Sequence, residues 1–187
     1  MSGIYIHIPF CKQACHYCDF HFSTSLKKKD EMVLALANEI ALRKSEFKDE
    51  IIETIYFGGG TPSILEIADI RLLIDTVYAN YKVIDNPEIT VEANPDDLTE
   101  TRITELSNNR VNRLSIGIQS FFEDDLKLMN RAHNSDEAKK CLEIATRYFD
   151  NISIDLIYGV PDSSQNGEQA QQMSNEKWLQ NIETALS

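Results

Sequence analysis

Five short apolar runs, rich in β-branched residues and closed by polar or turn-forming residues, limit the folds available to this chain. They span residues 4–8, 54–57, 89–93, 114–118 and 152–157. Between them, apolar residues recur with helical spacing, as at Val33, Leu36, Ala37 and Ile40. The pattern predicts strands that alternate with helices. Such alternation is typical of right-handed βαβ units around a parallel sheet.

The polar motifs all follow these predicted strands. In chain order they are "CKQACHYC", "GGGTP", "EANPDD", "GIQSF" and "DLIYGVP". Parallel α/β folds bind ligands at the carboxyl ends of their strands. Periodicity alone fits a doubly wound sheet or a barrel, but five consecutive strand ends that feed one face favour the barrel. We therefore predict an α/β fold in which about five βα units form a partial (β/α) barrel of parallel strands.

One core over residues 1–187 is expected, with one interruption. Residues 162–174, "DSSQNGEQAQQMS", are polar and lack periodicity, which predicts a loop or insertion. Helical spacing returns over residues 175–186, where Trp178, Leu179, Ile182 and Leu186 would share an apolar face. The five predicted strands would leave an open edge after the last helix. We therefore expect this sheet to be a shortened form of a longer architecture.

Charge and hydrophobicity exclude several classes of partner. The 187 residues are 42% hydrophobic and carry a net charge of -12, which disfavours nucleic acid or an anionic membrane surface as the main partner. No segment approaches the roughly 18 apolar residues that span a bilayer, and no signal-peptide pattern is evident. We expect a cytoplasmic protein, in which clustered thiols more often bind metal or do chemistry than form disulfides.

The N-terminal cysteines point to a metal centre. Cys11, Cys15 and Cys18 lie within eight residues with C-x3-C-x2-C spacing. Three thiolates can hold a [4Fe-4S] cluster and leave one iron without a protein ligand. Two alternatives are a zinc site with His21 as the fourth ligand and reduced thiols without a metal. Cys141 lies on the apolar face of a predicted helix and is expected in the core.

The glycine run after the second strand is the next signal. Gly58, Gly59 and Gly60 leave backbone groups bare, so that the polar end of a ligand can approach the main chain. A glycine run alone fits a simple tight turn equally well. Its predicted position, one strand away from the loop of residues 11–18 (the cysteine loop), favours a single site that both segments form.

Several segments together resemble the radical S-adenosylmethionine superfamily. These segments are "YIHIPFCKQACHYCDF", "GGGTP", "EANPDD", "RLSIGIQSF", "MNRAH" and "IDLIYGVP". They are most similar to the oxygen-independent coproporphyrinogen III oxidase-like proteins, in order from residue 3 to about residue 161. The resemblance implies a partial barrel of the radical S-adenosylmethionine type.

The resemblance also implies roles for individual residues. Cys11, Cys15 and Cys18 would ligate the [4Fe-4S] cluster, and the free iron would take the amino and carboxylate groups of S-adenosylmethionine. Other residues would contact that cofactor or flank the cluster loop: Tyr5, Tyr17, Gly59, Gly60, Thr61, Glu92, Gln119, Arg131 and Asp155. The implied chemistry is one-electron reduction of the sulfonium to methionine and a 5'-deoxyadenosyl radical.

Phe20 separates two branches of the family. The porphyrinogen oxidases carry a further cysteine at this position, whereas "CDF" is the pattern of the heme chaperones, which bind heme and pass it to heme proteins such as respiratory enzymes. The resemblance therefore implies a heme chaperone that lacks decarboxylase activity. The alternative is an enzyme that decarboxylates a porphyrinogen. The resemblance also implies a sixth strand and a C-terminal domain with a heme-linked motif, and we expect no counterpart of either within residues 1–187.

Overall fold

The computed structural model describes residues 2–47, 50–161 and 168–187, and its elements confirm the predicted alternation. The strands are Ser2–Ile8 (β1), Ile51–Gly59 (β2), Lys82–Ala93 (β3), Arg113–Gln119 (β4) and Ile152–Leu156 (β5). The α-helices are Lys29–Leu42 (α1), Ile67–Asn80 (α2), Glu100–Asn108 (α3), Glu123–Leu128 (α4), Ser135–Ala145 (α5) and Glu168–Leu186 (α6).

The strands form one sheet whose spatial order is the order of the chain. The order is β1-β2-β3-β4-β5, and every neighbouring pair is parallel. Each βα unit therefore places its strand next to the preceding one, and the order never reverses as it does at the switch point of a doubly wound sheet. This topology confirms the barrel-type arrangement and rules out the doubly wound alternative.

Alternation along the strands separates an apolar core from a polar face. Ile55 and Phe57 on β2 are completely buried in the same core cluster as Leu73 and Ile74 of α2. Tyr56 lies between them in the sequence and points to the opposite side of the sheet, because successive side chains of a strand alternate. Each such buried apolar side chain contributes about 1.5–3 kcal/mol to folding. The side of the sheet opposite the core therefore carries the polar side chains, among which the candidate functional residues lie.

Cys141 lies in the core, as predicted. Its side chain on α5 is 3% exposed and belongs to the main core cluster. Burial raises the pKa of its thiol to about 12. This cysteine is thus separated in both position and chemistry from the three at the N-terminus.

The C-terminal helix differs from the sequence prediction in two ways. Helix α6 begins at Glu168 instead of residue 175, so residues 168–174 are helical, whereas residues 162–167 of the predicted loop lie outside the described residues. Glu, Gln, Ala and Met are good helix formers even without an apolar stripe. The four apolar residues of the predicted face are also buried unequally, because Trp178 and Ile182 are half-buried whereas Leu179 and Leu186 are 60% and 82% exposed.

Buried polar contacts hold α6, together with Ala185, which packs against the core. Asn181 is 2% exposed, and its Oδ1 accepts a 2.7 Å hydrogen bond from the backbone N–H of Phe121. Lys177 donates at 3.0 Å to the buried carboxylate of Asp125, which also accepts from the hydroxyl of Ser120 at 2.9 Å. The helix therefore packs against the segment after β4 through hydrogen bonds that no apolar periodicity could predict.

Candidate cofactor-binding site

The three N-terminal cysteines lie on the loop that leaves β1 at the carboxyl end of the sheet. Their thiols are half-buried and form no disulfide. The base of the loop is closed by two hydrogen bonds, from Cys11 N to Ser23 O at 3.1 Å and from Ser23 N to Pro9 O at 2.9 Å. Burial raises the pKa of the Cys11 thiol, and a hydrogen bond with Thr61 opposes the rise.

The glycine run at the end of β2 lies directly beside the start of the cysteine loop. Gly60 N donates to Ile8 O at 2.8 Å. A Cβ atom on Gly60 would come within 2.5 Å of Phe10 O, and one on Gly59, whose φ is 114°, within 2.6 Å of the ring of His7. These glycines are therefore needed for the close approach of two strand ends, besides leaving backbone groups accessible.

Glu92 at the end of β3 is fixed through both of its carboxylate oxygens. Oε1 accepts a hydrogen bond from the phenol of Tyr56 at 2.8 Å, and Oε2 accepts one from Gly59 N at 3.1 Å. Burial and the neighbouring carboxylate raise the pKa of Tyr56 to about 12, so the phenol remains a donor. The ring of Tyr5 stacks on that of Tyr56 at a centroid distance of 5.9 Å. Residues of β1 and β2 thus set the direction of an acid on β3.

Arg131, in the segment between α4 and α5, joins the loop after β1, the segment after β3 and the strand β4. Its Nη1 donates to Cys15 Sγ at 3.4 Å and to the hydroxyl of Tyr17 at 3.0 Å. Its Nη2 donates to Asn94 Oδ1 at 2.7 Å and to Gly117 O at 2.8 Å. A planar guanidinium can present several donors at fixed angles, which a lysine cannot.

The end of β4 carries an unusual backbone conformation. Gln119 has φ of 68° and is buried, and its carbonyl accepts from Ile157 N at 2.9 Å. The buried ring of His133 donates from Nε2 to the neighbouring Ile118 O at 3.1 Å. Left-handed conformations of residues other than glycine cluster at functional sites. On the adjacent β5, burial raises the pKa of the Asp155 carboxyl group, and Arg131 opposes that rise.

One cavity of about 790 Å³ brings these side chains together. It is lined by every residue that the sequence marked as a cofactor contact or metal ligand, namely Tyr5, Cys11, Cys15, Tyr17, Cys18, Gly59, Gly60, Thr61, Glu92, Gln119, Arg131 and Asp155. Cavities of about 300–1,000 Å³ are typical of small-molecule sites. The prediction that these residues share one surface is therefore confirmed, whereas their individual roles stay predictions.

Several residues of this cavity were not predicted from the sequence. His7, Gln13, Asn94 and Ser115 also line it. Asn94 links Arg131 to Thr61 through contacts of 2.7 and 3.4 Å. It lies inside the "EANPDD" segment, two positions after Glu92, so its place in that motif was an available signal.

The chemistry of the cavity fits a thiolate-ligated cluster with a polar organic ligand beside it. Three thiols lie near one guanidinium, whose Nε is buried without a hydrogen-bond partner among the described residues. Within the described ranges, no three His, Cys, Asp or Glu side chains converge closely enough to hold a single ion. A cubane cluster does not require such convergence, because each thiolate binds a different iron.

The match to a known family agrees with this geometry. The model of the Radical SAM superfamily matches residues 5–173. The chain therefore belongs to the Radical SAM superfamily, as its motifs indicated.

Particular members of the family are similar to this chain. Heme chaperone HemW of Escherichia coli (strain K12) is 39% identical over 166 residues, which cover 87% of this chain and 44% of the relative. Heme chaperone HemW of Bacillus subtilis (strain 168) is 38% identical over 164 residues, which cover 86% of this chain and 43% of the relative. The chain thus spans less than half the length of these relatives.

A solved structure supports the same fold. The coproporphyrinogen III oxidase HemN of Escherichia coli, a radical SAM enzyme, matches with a TM-score of 0.80 and 29% identity. The match covers 93% of this chain and 40% of that protein. Across residues 2–47, 50–161 and 168–187, no helix is long and apolar enough to cross a membrane.

Proposed function

We propose that this chain binds a [4Fe-4S] cluster and S-adenosylmethionine and belongs to a heme chaperone that delivers heme to heme proteins. The supporting observation is that three thiols, a glycine loop, two acids and a guanidinium line one cavity. We further propose that the protein works in the cytoplasm and that its heme acceptors include respiratory proteins.

Each part of the cavity has a role in this proposal. Cys11, Cys15 and Cys18 would ligate three irons, which leaves the fourth for the amino and carboxylate groups of S-adenosylmethionine. The backbone of Gly59 and Gly60 would receive its methionyl end. When bound, the cluster and cofactor supply one-electron reductive cleavage of the sulfonium.

The remaining residues of the cavity would orient the ligand. Glu92 and Asp155 are acceptors for ribose hydroxyls, and Gln119 can both donate and accept. Thr61 lies beside the glycines at the cavity wall. Arg131 places a fixed positive charge beside Cys15 and the ligand carboxylate, which stabilises negative charge there. Tyr5 and Tyr17 would flank the cluster loop at the cavity wall.

Cysteine variants test the metal centre. We expect Cys11→Ala, Cys15→Ala and Cys18→Ala each to abolish iron and sulfide incorporation under anaerobic reconstitution, because a three-thiolate site loses a ligand. Cys141→Ala is the matched control and should keep the full iron and sulfide content, since Cys141 lies in the core. A colourless protein that binds about one zinc per chain would contradict the cluster and support a Cys3His site with His21.

Phe20 supports the carrier over the enzyme. Its side chain is 80% exposed at the rim of the cavity, where the porphyrinogen oxidases have a further cysteine. Heme titration of the reconstituted protein tests the carrier function, and the absence of stoichiometric heme binding would overturn it. Phe20→Leu, which keeps an apolar side chain, and Phe20→Cys would then show whether this position selects between the two activities.

The enzyme is the second candidate, favoured by the structural match to coproporphyrinogen III oxidase. Incubation of the reconstituted protein with dithionite, S-adenosylmethionine and coproporphyrinogen III tests it. Consumption of the porphyrinogen with formation of 5'-deoxyadenosine would establish the oxidase. Unchanged porphyrinogen would exclude it.

A further inference from the structure

The turn after α4 ends that helix in a specific geometry. Arg131 N donates to Leu126 O at 2.9 Å, and Asn130 N donates to Lys127 O at 3.0 Å. Asn130 has φ of 55°, in the left-handed region. This pair of bonds is the Schellman motif, in which the left-handed residue is usually glycine and sometimes asparagine.

The carbonyl groups of this turn bind the cysteine loop. Leu128 O accepts from His16 Nδ1 at 2.9 Å, and Met129 O accepts from His16 N at 3.0 Å. Asn130 O accepts from Gln13 Nε2 at 2.8 Å. The last carbonyls of a helix have no partner within the helix, and here the loop that carries the cysteines supplies their donors.

The side chain of Asn130 explains why this position is not glycine. Its Oδ1 accepts from Gln13 Nε2 at 2.8 Å, and its Nδ2 donates to Ala14 O at 2.8 Å. Gln13 and Ala14 lie between the first two cysteines. Glycine would adopt the same backbone conformation at less cost, but it could make neither contact.

The opposite side of the loop is anchored independently. Lys12 pairs with Asp96 at 3.1 Å and also with Asp97, in the segment after β3. The carboxylate of Asp97 also accepts a hydrogen bond from Ser63 at 2.5 Å. Lys12 fixes the chain directly after the first cysteine, whereas the turn after α4 fixes residues 13–16.

We propose that the turn of residues 126–131 is a template that holds the cysteine loop in its cluster-binding shape before metal arrives, with Asn130 as the positioning residue. The metal-binding part of this inference rests on the proposed function, but the holding of the loop does not. Preorganisation of the thiols lowers the conformational entropy that cluster assembly would otherwise have to offset.

Hydrogen exchange and thiol alkylation of the metal-free, reduced protein test the template. Asn130→Gly keeps the left-handed backbone and removes two hydrogen bonds, so we expect the hydrogen-bonded loop amides of Cys11, His16 and Cys18 to exchange roughly fivefold to thirtyfold faster. The three loop thiols should react correspondingly faster with an alkylating agent. Arg110→Gly is the matched control, because Arg110 is also left-handed, with φ of 69°, and ends another helix away from the cysteine loop. It should leave both rates in the loop unchanged.

A second measurement separates positioning from mere stability. Gln13→Ala leaves the turn intact and removes the loop's side of the contact, so its loop should loosen in the same way as that of Asn130→Gly. Both variants should incorporate iron and sulfide more slowly than wild type and show a weaker charge-transfer absorbance at equal reconstitution time.

Three outcomes decide the matter. Wild-type exchange in Asn130→Gly would overturn the template, and a loosened loop with normal cluster loading would overturn the positioning role. A wild-type protein that takes up no iron would overturn the proposed function, while the exchange experiment would still decide whether Asn130 holds the loop.

Discussion

The phenol of Tyr56 donates a 2.8 Å hydrogen bond to Oε1 of Glu92 and so directs an acid of the neighbouring strand toward the cavity. The other oxygen, Oε2, accepts from Gly59 N at 3.1 Å. The orientation of this carboxylate is therefore set by β2, the same strand that carries the glycine run.

Removing the phenol should weaken cofactor binding without unfolding the protein. In Tyr56→Phe, Glu92 loses one of two hydrogen bonds, and we expect S-adenosylmethionine to bind about fivefold more weakly, which corresponds to about 1 kcal/mol. Calorimetric titration of the reconstituted protein without reductant measures the affinity. Tyr148→Phe is the control, because Tyr148 donates to Glu100 at an exposed position. Equal affinities for wild type and Tyr56→Phe would contradict the proposed role of Glu92.

A lysine at position 131 should not support the binding of S-adenosylmethionine as well as Arg131 does. The guanidinium makes four contacts, to Cys15, Tyr17, Asn94 and Gly117. Arg131→Lys keeps the charge and loses the fork of donors, so we expect affinity for S-adenosylmethionine to fall about tenfold or more.

A lysine substitution at the surface controls for this change. Arg147 pairs with Glu143 one helical turn away, and such exposed pairs contribute about 0.3–0.5 kcal/mol. Arg147→Lys should leave both the affinity and the stability nearly unchanged. If both lysine variants bind the cofactor as wild type does, the fork of Arg131 is not needed for binding.

The buried ring of His133 should make folding depend on pH. Burial first, and then the positive charge of Arg131, lower its pKa from 6.5 to about 4, whereas its bond to Ile118 O and the acids Asp96 and Glu137 oppose the shift. The unfolded state thus binds more protons between these values. The contribution of the neutral His133 ring to the free energy of unfolding should be complete above pH 6.5. It should be lost as the pH falls toward about 4, and the loss should be at most about 3 kcal/mol.

The matching substitution is His133→Gln, which can still donate to the carbonyl of Ile118 and does not titrate. Urea unfolding at about pH 7 and about pH 5 gives the free energy of unfolding of each protein. The wild type should lose more stability over this interval than the variant. Identical losses would mean that His133 does not contribute to the acid sensitivity.

The ion pair of α6 should be important for stability. Asp125 is 3% exposed, and Lys177→Met would leave its carboxylate without this cation. We expect a loss of about 2–3 kcal/mol, less than the roughly 3–5 kcal/mol of fully buried pairs because Lys177 is partly exposed. Lys127→Met, which breaks an exposed pair with Glu123, should cost less than about 1 kcal/mol. Thermal or urea unfolding of the two variants compares these values, and equal losses would contradict the prediction.

Short-range patterns were sufficient to predict the sheet and the surface on which the site lies. Apolar runs such as Leu114–Ile118 are strands because apolar and β-branched residues at alternating positions all point to the core face of the sheet. The polar motifs follow those runs directly, so parallel strands bring them to one edge. Glu92 and Asp155 could therefore be assigned to one cavity although 62 residues lie between them in the sequence.

Other features depend on residues that carry no periodic signal. Helix α6 is held by Asn181 and Lys177, whose hydrogen bonds exist only once the segment after β4 is in place. Asn94 joins the site as a partner of Arg131, and sequence gives no indication of which acceptor a distant guanidinium will meet. These contacts depend on exact distances and angles between remote residues, so neither the composition nor the periodicity of the sequence predicts them.

The sequence by itself determined the parallel βα architecture and the face on which the cysteines, glycines and acids meet, because both follow from local spacing and from the direction of parallel strands. Only the tertiary structure decided how that face is held. It placed Asn130 against Ala14 from 116 positions away and ended α4 with carbonyl groups directed at the cysteine loop. Such contacts depend on distances of about 3 Å between remote segments, and those distances are fixed only when the whole sheet is assembled.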